Sequence, residues 1–169
     1  EDYCVAFRSA HPTPVEVRRE RGQISTWYTC CAEKYPNTFT VSPISEAAWI
    51  GWRTLAVDYD GYLRWAVNSW TTDPLTDTRF RSWCAGDTYM LYPDGRSSLR
   101  FDKMLEGIQD YEKMRILIDE WTAAGETDKV SRLEEYLKRF DFEHLSAAED
   151  SEGGVGAEAA EAVHTGRNL

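Results

Sequence analysis

Apolar and polar positions along this chain change their period several times, and each change predicts an element. Tyr3-Cys4-Val5-Ala6-Phe7 reads as an extended segment, and His11-Pro12-Thr13-Pro14 interrupts it because proline fixes φ and lacks an amide proton. Val15 to Arg21 carries mixed charge and predicts a short surface helix that Gly22 stops. Gln23 to Cys31 is dense in β-branched and aromatic residues, the composition of a strand, and runs into the polar aromatic loop Tyr35-Pro36-Asn37-Thr38-Phe39. Ser42-Pro43 predicts a helix cap followed by proline in the first turn. Ile44, Ala47, Ala48, Trp49, Ile50, Trp52, Leu55 and Ala56 then recur with helical spacing as far as about Val57. Asp60-Gly61 supplies a turn, and Leu63, Trp65 and Val67 fall on one face of a strand expected to be buried.

The order strand, helix, strand, helix, strand predicts parallel crossover units, and no two-residue hairpin turn is read in the chain. Thr71 to Ser98 shows no period; so long an irregular stretch in a compact domain points to function. Leu99 to Trp121 is the strongest helix, with an apolar stripe of Phe101, Met104, Leu105, Ile108, Tyr111, Leu117, Ile118 and Trp121. Ala123-Ala124-Gly125 closes it, and Lys129 to Phe140 predicts a second amphipathic helix. Ser146 to Leu169 is small, acidic and rich in Gly and Ala. It predicts a mobile tail, so residues 1–145 are read as the folded part and 146–169 as the tail.

Composition narrows the classes of partner. The chain has 169 residues and a net charge of −10, which argues against nucleic acid and against an anionic membrane surface. No apolar run approaches the length of a membrane span. The chain starts without Met and already inside a strand, which predicts a cut within a longer protein and leaves the compartment open. Cys4, Cys30, Cys31 and Cys84 form no C-x-x-C pair. They read as small buried hydrophobes, with a disulfide as the alternative; no metal or cofactor is expected. Seven Trp and nine Tyr make the aromatic excess the compositional anomaly.

That excess is concentrated where predicted strands end. Asn68 and Trp70 arrive just after Trp65, and Tyr28 lies near the end of the previous strand. Indole faces beside a carboxamide suit a sugar ring, whose C–H face stacks and whose hydroxyls take paired hydrogen bonds. Against this, a tryptophan is more often simply core, because it buries a large area wherever it sits. Glu106, Asp110 and Glu112 on the long helix read as a solvated face rather than as acid/base catalysts.

Several motifs together carry a resemblance. Trp27-Tyr28-Thr29-Cys30-Cys31, Tyr35-Pro36-Asn37-Thr38-Phe39, the run from Gly61 to Trp70, Asp73-Pro74, Gly86-Asp87 with Leu91-Tyr92-Pro93, and Glu106 to Glu112 stand in one order and spacing. Over roughly residues 1 to 140 the chain resembles the C-terminal part of the catalytic domain of glycoside hydrolase family 123 and its uncharacterised bacterial relatives. The resemblance implies an α/β fold: the C-terminal portion of a (β/α)8 TIM-type barrel, about three strand-helix units, plus C-terminal helices. It also implies a parent acting on β-linked N-acetylgalactosaminides by a substrate-assisted mechanism, in which the 2-acetamido oxygen attacks the anomeric carbon and an Asp-Glu pair assists.

That pair belongs to an earlier strand and has no equivalent here: Glu1-Asp2 is reversed in order and sits on a different strand, and Glu149-Asp150 lies in the tail. This stretch alone is therefore expected to be inactive, with the remaining N-terminal part of the barrel as its partner. What the resemblance assigns to it is the wall of a carbohydrate pocket: Trp65 and Trp70 stacking, Asn68 and Tyr28 bonding polar groups, Asp87 from the long loop, and Asp110-Tyr111-Glu112 tying a helix back to the barrel. The alternative is a non-catalytic carbohydrate-binding or scaffold protein.

Overall fold

The computed structural model of the chain describes residues 2–6, 9–33, 35–140 and 154–169. Three strands, β1 (Tyr3–Ala6), β2 (Ser25–Thr29) and β3 (Gly61–Arg64), form a parallel sheet in the order β1-β2-β3. The register places Val5 opposite Trp27 and Trp27 opposite Tyr62, so these three side chains share a face. That face packs on helix α2 (Ser45–Ala56), where the buried Trp27 donates its indole N–H to Thr54 Oγ1 at 3.0 Å. Helix α1 (Val15–Glu20) reaches the same side of β2, with the Arg18 guanidinium donating to Ser25 Oγ at 2.8 Å.

Two aspartates fix where the strands begin. Asp2 accepts the Ile24 amide at 2.9 Å, and Asp60 accepts the Ser25 amide at 2.7 Å. Both clasp backbone donors at the entry to β2, a structural task for short acidic side chains next to an unpaired amide. Arg19 adds a surface ion pair to Asp60 at 3.2 Å.

Helix α3 (Leu99–Ala124) is capped by Ser98, whose hydroxyl accepts the Phe101 amide, and it ends at Gly125 with φ 73°. It crosses α2 at two glycines. A Cβ on Gly51 would lie 2.1 Å from the Gly107 carbonyl oxygen, and one on Gly107 would lie 2.5 Å from the Ala48 carbonyl oxygen. The helices therefore touch backbone to backbone. Asp110 accepts the Trp52 indole N–H at 2.9 Å, and the Tyr111 hydroxyl donates to the Tyr59 carbonyl at 3.1 Å, so this stretch of α3 anchors the helix as the sequence reading expects. Helix α4 (Thr127–Leu137) supplies Leu133 and Leu137 to a core that holds Trp49, Trp52 and Phe140, the last two stacked at 5.0 Å.

Four sequence expectations need correction. First, part of the expected tail is ordered. Residues 154–166 form helix α5 (Gly154–Gly166), which buries Ala159, Ala162 and Val163, and Gly166 sits against the Trp52 ring. Small residues at helical spacing let a helix approach closely, a signal that Gly/Ala-rich composition conceals; residues 146–153 lie outside the described residues. Second, the face of β3 expected to be buried is the open one: Leu63 is 47% exposed, while Arg64 on the opposite face is buried. Third, the long stretch after Thr71 contains an antiparallel hairpin, β4 (Leu91–Tyr92) with β5 (Arg96–Ser97), turned by Asp94 at φ 63° and Gly95. Fourth, Cys31 and Cys84 are exposed, and all four cysteines are free thiols.

Ser42 also acts differently from its predicted role. Its hydroxyl accepts the Phe39 amide in the preceding turn, and α2 begins at Ser45 without a side-chain cap. No described helix is long and apolar enough to cross a membrane.

The glycine crossing is directly testable. Gly107→Ala forces a methyl group into the α2 backbone and is expected to cost about 1–3 kcal/mol, the range for overpacking a close contact. Thermal denaturation checks this: the midpoint should fall by about 2–4 °C per kcal/mol.

Candidate functional site

The C-terminal ends of the strands are held by a buried polar network, and its centre is Arg64. This residue closes β3 with its side chain on the helix side of the sheet, where an unpaired cation would be costly. Its guanidinium donates to the Thr29 carbonyl at 3.0 Å, to Asn37 Oδ1 at 2.8 Å and to Asp87. The Arg64 and Asp87 side chains are 2% and 0% exposed, so the pair exchanges almost no contact with water. Phe39 lies under the guanidinium, 5.6 Å from ring centroid to Arg64 Cζ.

Asp87 spends its oxygens on the protein. Besides Arg64 it accepts the Trp65 indole N–H, at 3.2 Å to each oxygen. The backbone that delivers it is forced into rare conformations: Gly86 has φ 72° and Thr88 has φ 67°. A β-branched residue in that region costs on the order of 1–3 kcal/mol and persists only where its surroundings impose it. Here Thr88 Oγ1 donates to the Ser69 carbonyl at 2.5 Å, and Gly86 packs so close to Thr40 that a Cβ would fall 2.2 Å from it. The segment after Trp65 is thereby zipped to the segment after Asp87.

The aromatic groups sit on this frame. Trp65 is 41% exposed and meets Trp83 edge to face at 5.3 Å. Trp70 is 38% exposed, its indole N–H donated to the Leu91 carbonyl at 2.8 Å. Tyr89 is fully buried beneath them, with its hydroxyl bonded to the Thr71 amide at 3.0 Å. Each indole thus has its polar edge bonded to the protein and part of its surface in solvent, the condition for stacking on a flat ligand.

The five residues singled out from sequence divide accordingly. Trp65 and Asp87 are in direct contact, and Trp70 is tied to the same loop. Asn68 is exposed, and Tyr28 stands half-buried on the open face of β2, opposite Leu63; no hydrogen bond joins either to the Trp65–Asp87 pair. Asp87 is wholly buried and committed to Arg64 and Trp65, so it shapes the surface from below.

The sequence reading gave no role to Arg64, Asn37, Glu46 or Trp83. Arg64 carries a usable signal: it follows Tyr62 by two positions, which puts a cation in the inward alternation of a strand and demands a buried acid. Asn37 and Glu46 carry no comparable signal, because their partners are a backbone amide and carbonyls. Glu46 is fully buried and accepts the Asn37 amide at 2.8 Å; burial pushes its pKa up to about 7 against the opposing pull of that bond. Burial likewise pushes the Tyr62 phenol up, and its hydroxyl shares a 2.6 Å bond with Thr29 Oγ1. Among the described residues no cluster of three or more His, Cys, Asp or Glu could hold a metal ion. A cavity of about 260 Å³ lined by Trp52, Met114 and Trp121 lies among the helices, in the layer behind the sheet.

Residues 1–117 match the family described as "Glycoside hydrolase 123, catalytic domain". The chain belongs to that family. A solved structure of a family 123 glycoside hydrolase from Clostridium perfringens, presented for the details of glycolipid glycan hydrolysis, shares the fold with a TM-score of 0.70. The likeness covers 99% of this chain and 33% of that chain, at 21% identity. This glycoside hydrolase 123 chain thus spans a third of the length of that relative, and no curated protein matches it. The shared fold is a mixed α/β arrangement with a parallel sheet and several helices.

Within this glycoside hydrolase 123 domain the Arg64–Asp87 pair makes a quantitative prediction. Arg64→Met leaves a carboxylate buried without its cation and should cost about 3–5 kcal/mol. The double change Arg64→Met with Asp87→Leu should recover part of that loss. Urea denaturation of the three proteins measures both effects, and a double variant no more stable than Arg64→Met alone would count against the pair as the source.

Proposed function

We propose that this chain forms the strand-end wall of a carbohydrate site within a glycoside hydrolase catalytic domain. On this reading β1, β2 and β3 are three strands of a (β/α)8 barrel, and the open face carrying Tyr28 and Leu63 looks into it. The observation that carries the reading is the pairing of Trp65 and Trp70: both are partly exposed at the C-terminal end of the sheet, and both have their indole N–H groups already bonded, at 3.2 Å and 2.8 Å. Such rings offer stacking area with no polar edge left to satisfy. Asn68, exposed beside them, supplies both a donor and an acceptor for a hydroxyl or an acetamido group. Family membership and the glycolipid glycan chemistry of the Clostridium perfringens relative support a sugar as the ligand.

The whole protein, on the same reading, hydrolyses β-linked N-acetylhexosaminides with retention. The substrate's own acetamido oxygen attacks the anomeric carbon, and a carboxylic acid protonates the departing oxygen. Of the carboxylates near the strand ends in this chain, Asp87 is committed to Arg64 and Trp65, and Glu33 accepts the Cys30 amide at 2.7 Å. The proton donor must therefore be supplied by a strand other than these three. The part played here is binding and orientation, which holds the sugar so that the reacting atoms meet. A carbohydrate-binding or scaffold protein without hydrolytic activity remains the competing reading, favoured by the lack of an Asp-Glu pair at the ends of β1, β2 and β3.

Calorimetric titration with N-acetylgalactosamine tests the site, and a released-sugar assay on a β-linked N-acetylgalactosaminide with the whole protein tests the chemistry. Trp70→Ala should weaken binding about tenfold, the size of one aromatic contact. Saturable binding with no released sugar would select the competing reading. No change in affinity for Trp65→Ala and Trp70→Ala together would remove the aromatic wall from the account.

A further inference from the structure

Glu46 is chemically out of place unless it does something. It lies in the first turn of α2, fully buried, and one oxygen accepts the Asn37 amide at 2.8 Å while Oε1 has no hydrogen-bond partner. A methionine or leucine would fill such a site at less cost, because a buried carboxyl without a cation is disfavoured in either form. Asn37 is equally buried: its amide nitrogen donates to the Cys30 carbonyl at 2.7 Å and the Glu33 carbonyl at 2.5 Å, and its oxygen receives Arg64 at 2.8 Å. Arg64 then holds Asp87, and Asp87 holds the Trp65 indole N–H.

We propose that Glu46 is a positioning residue for Trp65, acting through Asn37, Arg64 and Asp87, and that its protonation state controls how firmly the aromatic surface is held. The effect on sugar affinity rests on the carbohydrate reading above; the effect on Trp65 does not. The carboxyl is held neutral at low pH by burial, with a pKa pushed up to about 7. As pH rises through that value, a charge with an unpartnered oxygen appears under the loop and the chain of bonds loosens.

The sign for stability follows from proton binding. Between the ordinary glutamate value of 4.5 and about 7 the folded protein holds a proton that the unfolded chain has lost. Glu46 therefore contributes its stability in full below that range, loses it as pH rises through about 7, and changes nothing further above.

Other titratable and charged groups stand around it. Cys30 and Glu33 lie on the loop, with the Cys30 thiol pushed up by burial; Arg64 and Tyr62 come from β3, and Asp87 from the long loop. Across α2, Lys103, Glu106, Arg167 and His164 line a separate cleft with Ser45 and Ala48. Glu46→Gln separates Glu46 from all of these, since it keeps the acceptor and removes the charge.

The experiment follows the Trp65 indole N–H resonance, assigned with Trp65→Phe, from about pH 5 to about pH 9 in the protein and in Glu46→Gln. The expected result is a shift with a midpoint near 7 in the native protein and a fixed resonance in Glu46→Gln. A resonance that does not move, or that moves alike in both proteins, overturns the proposal. Glu46→Ala, lacking the acceptor, should displace or broaden the resonance even at low pH, and an unchanged signal would equally overturn it. Affinity for N-acetylgalactosamine over the same range should fall about fivefold across the transition in the native protein and stay level in Glu46→Gln, a change of the size that coupled sites give. If Trp65 titrates as expected and no sugar binds at any pH, the positioning stands and the carbohydrate reading falls. If sugar binds with an affinity independent of pH, the control assigned to Glu46 is wrong.

Discussion

A cation and an anion that have both left water set the terms for the strand ends. Removing either partner strands the other in a medium that solvates it poorly, so Arg64 and Asp87 are obligatory to each other even where the net contribution of the pair to stability is small. The geometry this imposes is what matters. Arg64 closes β3, Thr29 closes β2, Asn37 lies on the loop beyond β2, and Asp87 arrives from a segment more than twenty residues later. One guanidinium joins four stretches of chain, and the planar fork of its donors fixes their mutual angles in a way that a lysine could not.

The two ends of the sheet use acidic side chains for different purposes. At the entry, Asp2 and Asp60 clasp backbone amides and set where the strands start. At the exit, Asp87 is turned inward and bonds side chains, one of them an indole whose ring then faces solvent. The left-handed backbone at Gly86 and Thr88 belongs to this second task, because the strain on either side of Asp87 is offset by the bonds that hold it. The same division places structural residues at one end of the strands and ligand-type residues at the other, the arrangement expected of parallel sheets whose sites lie beyond the carboxyl ends of the strands.

Much of this was legible before any coordinates. Alternation in Ser25 to Thr29, the cap at Ser98 and the stop at Gly125 are local signals, set by propensity and capping, and the structure places α3 and β2 close to where they predict. The cluster of Trp65 and Trp70 was visible because aromatic residues beside turn residues are unusual. The side on which β3 is buried was not legible, since Leu63, Trp65 and Val67 alternate with Tyr62 and Arg64, and either set can be read as the inner one until the helices are in place. Glu46 and Asn37 were invisible for a different reason. Their roles depend on contacts with backbone groups brought together only by the fold. Helix α5 was misread because small residues serve both flexible chain and close packing, and composition does not distinguish the two.

The crossing of α2 over α3 at Gly51 and Gly107 has a mechanical meaning. Side-chain interfaces can yield by changing rotamers, but a contact of carbonyl against Cα has no rotamers to change. At this point the two helices behave as one stiff plate, and Glu46 rides on it one turn and a half from the crossing. A displacement arriving at the strand-end loops meets a backing that does not absorb it. Whatever adjustment the aromatic surface makes to a ligand must be found in the loops themselves, with the helical layer as the fixed reference against which they move.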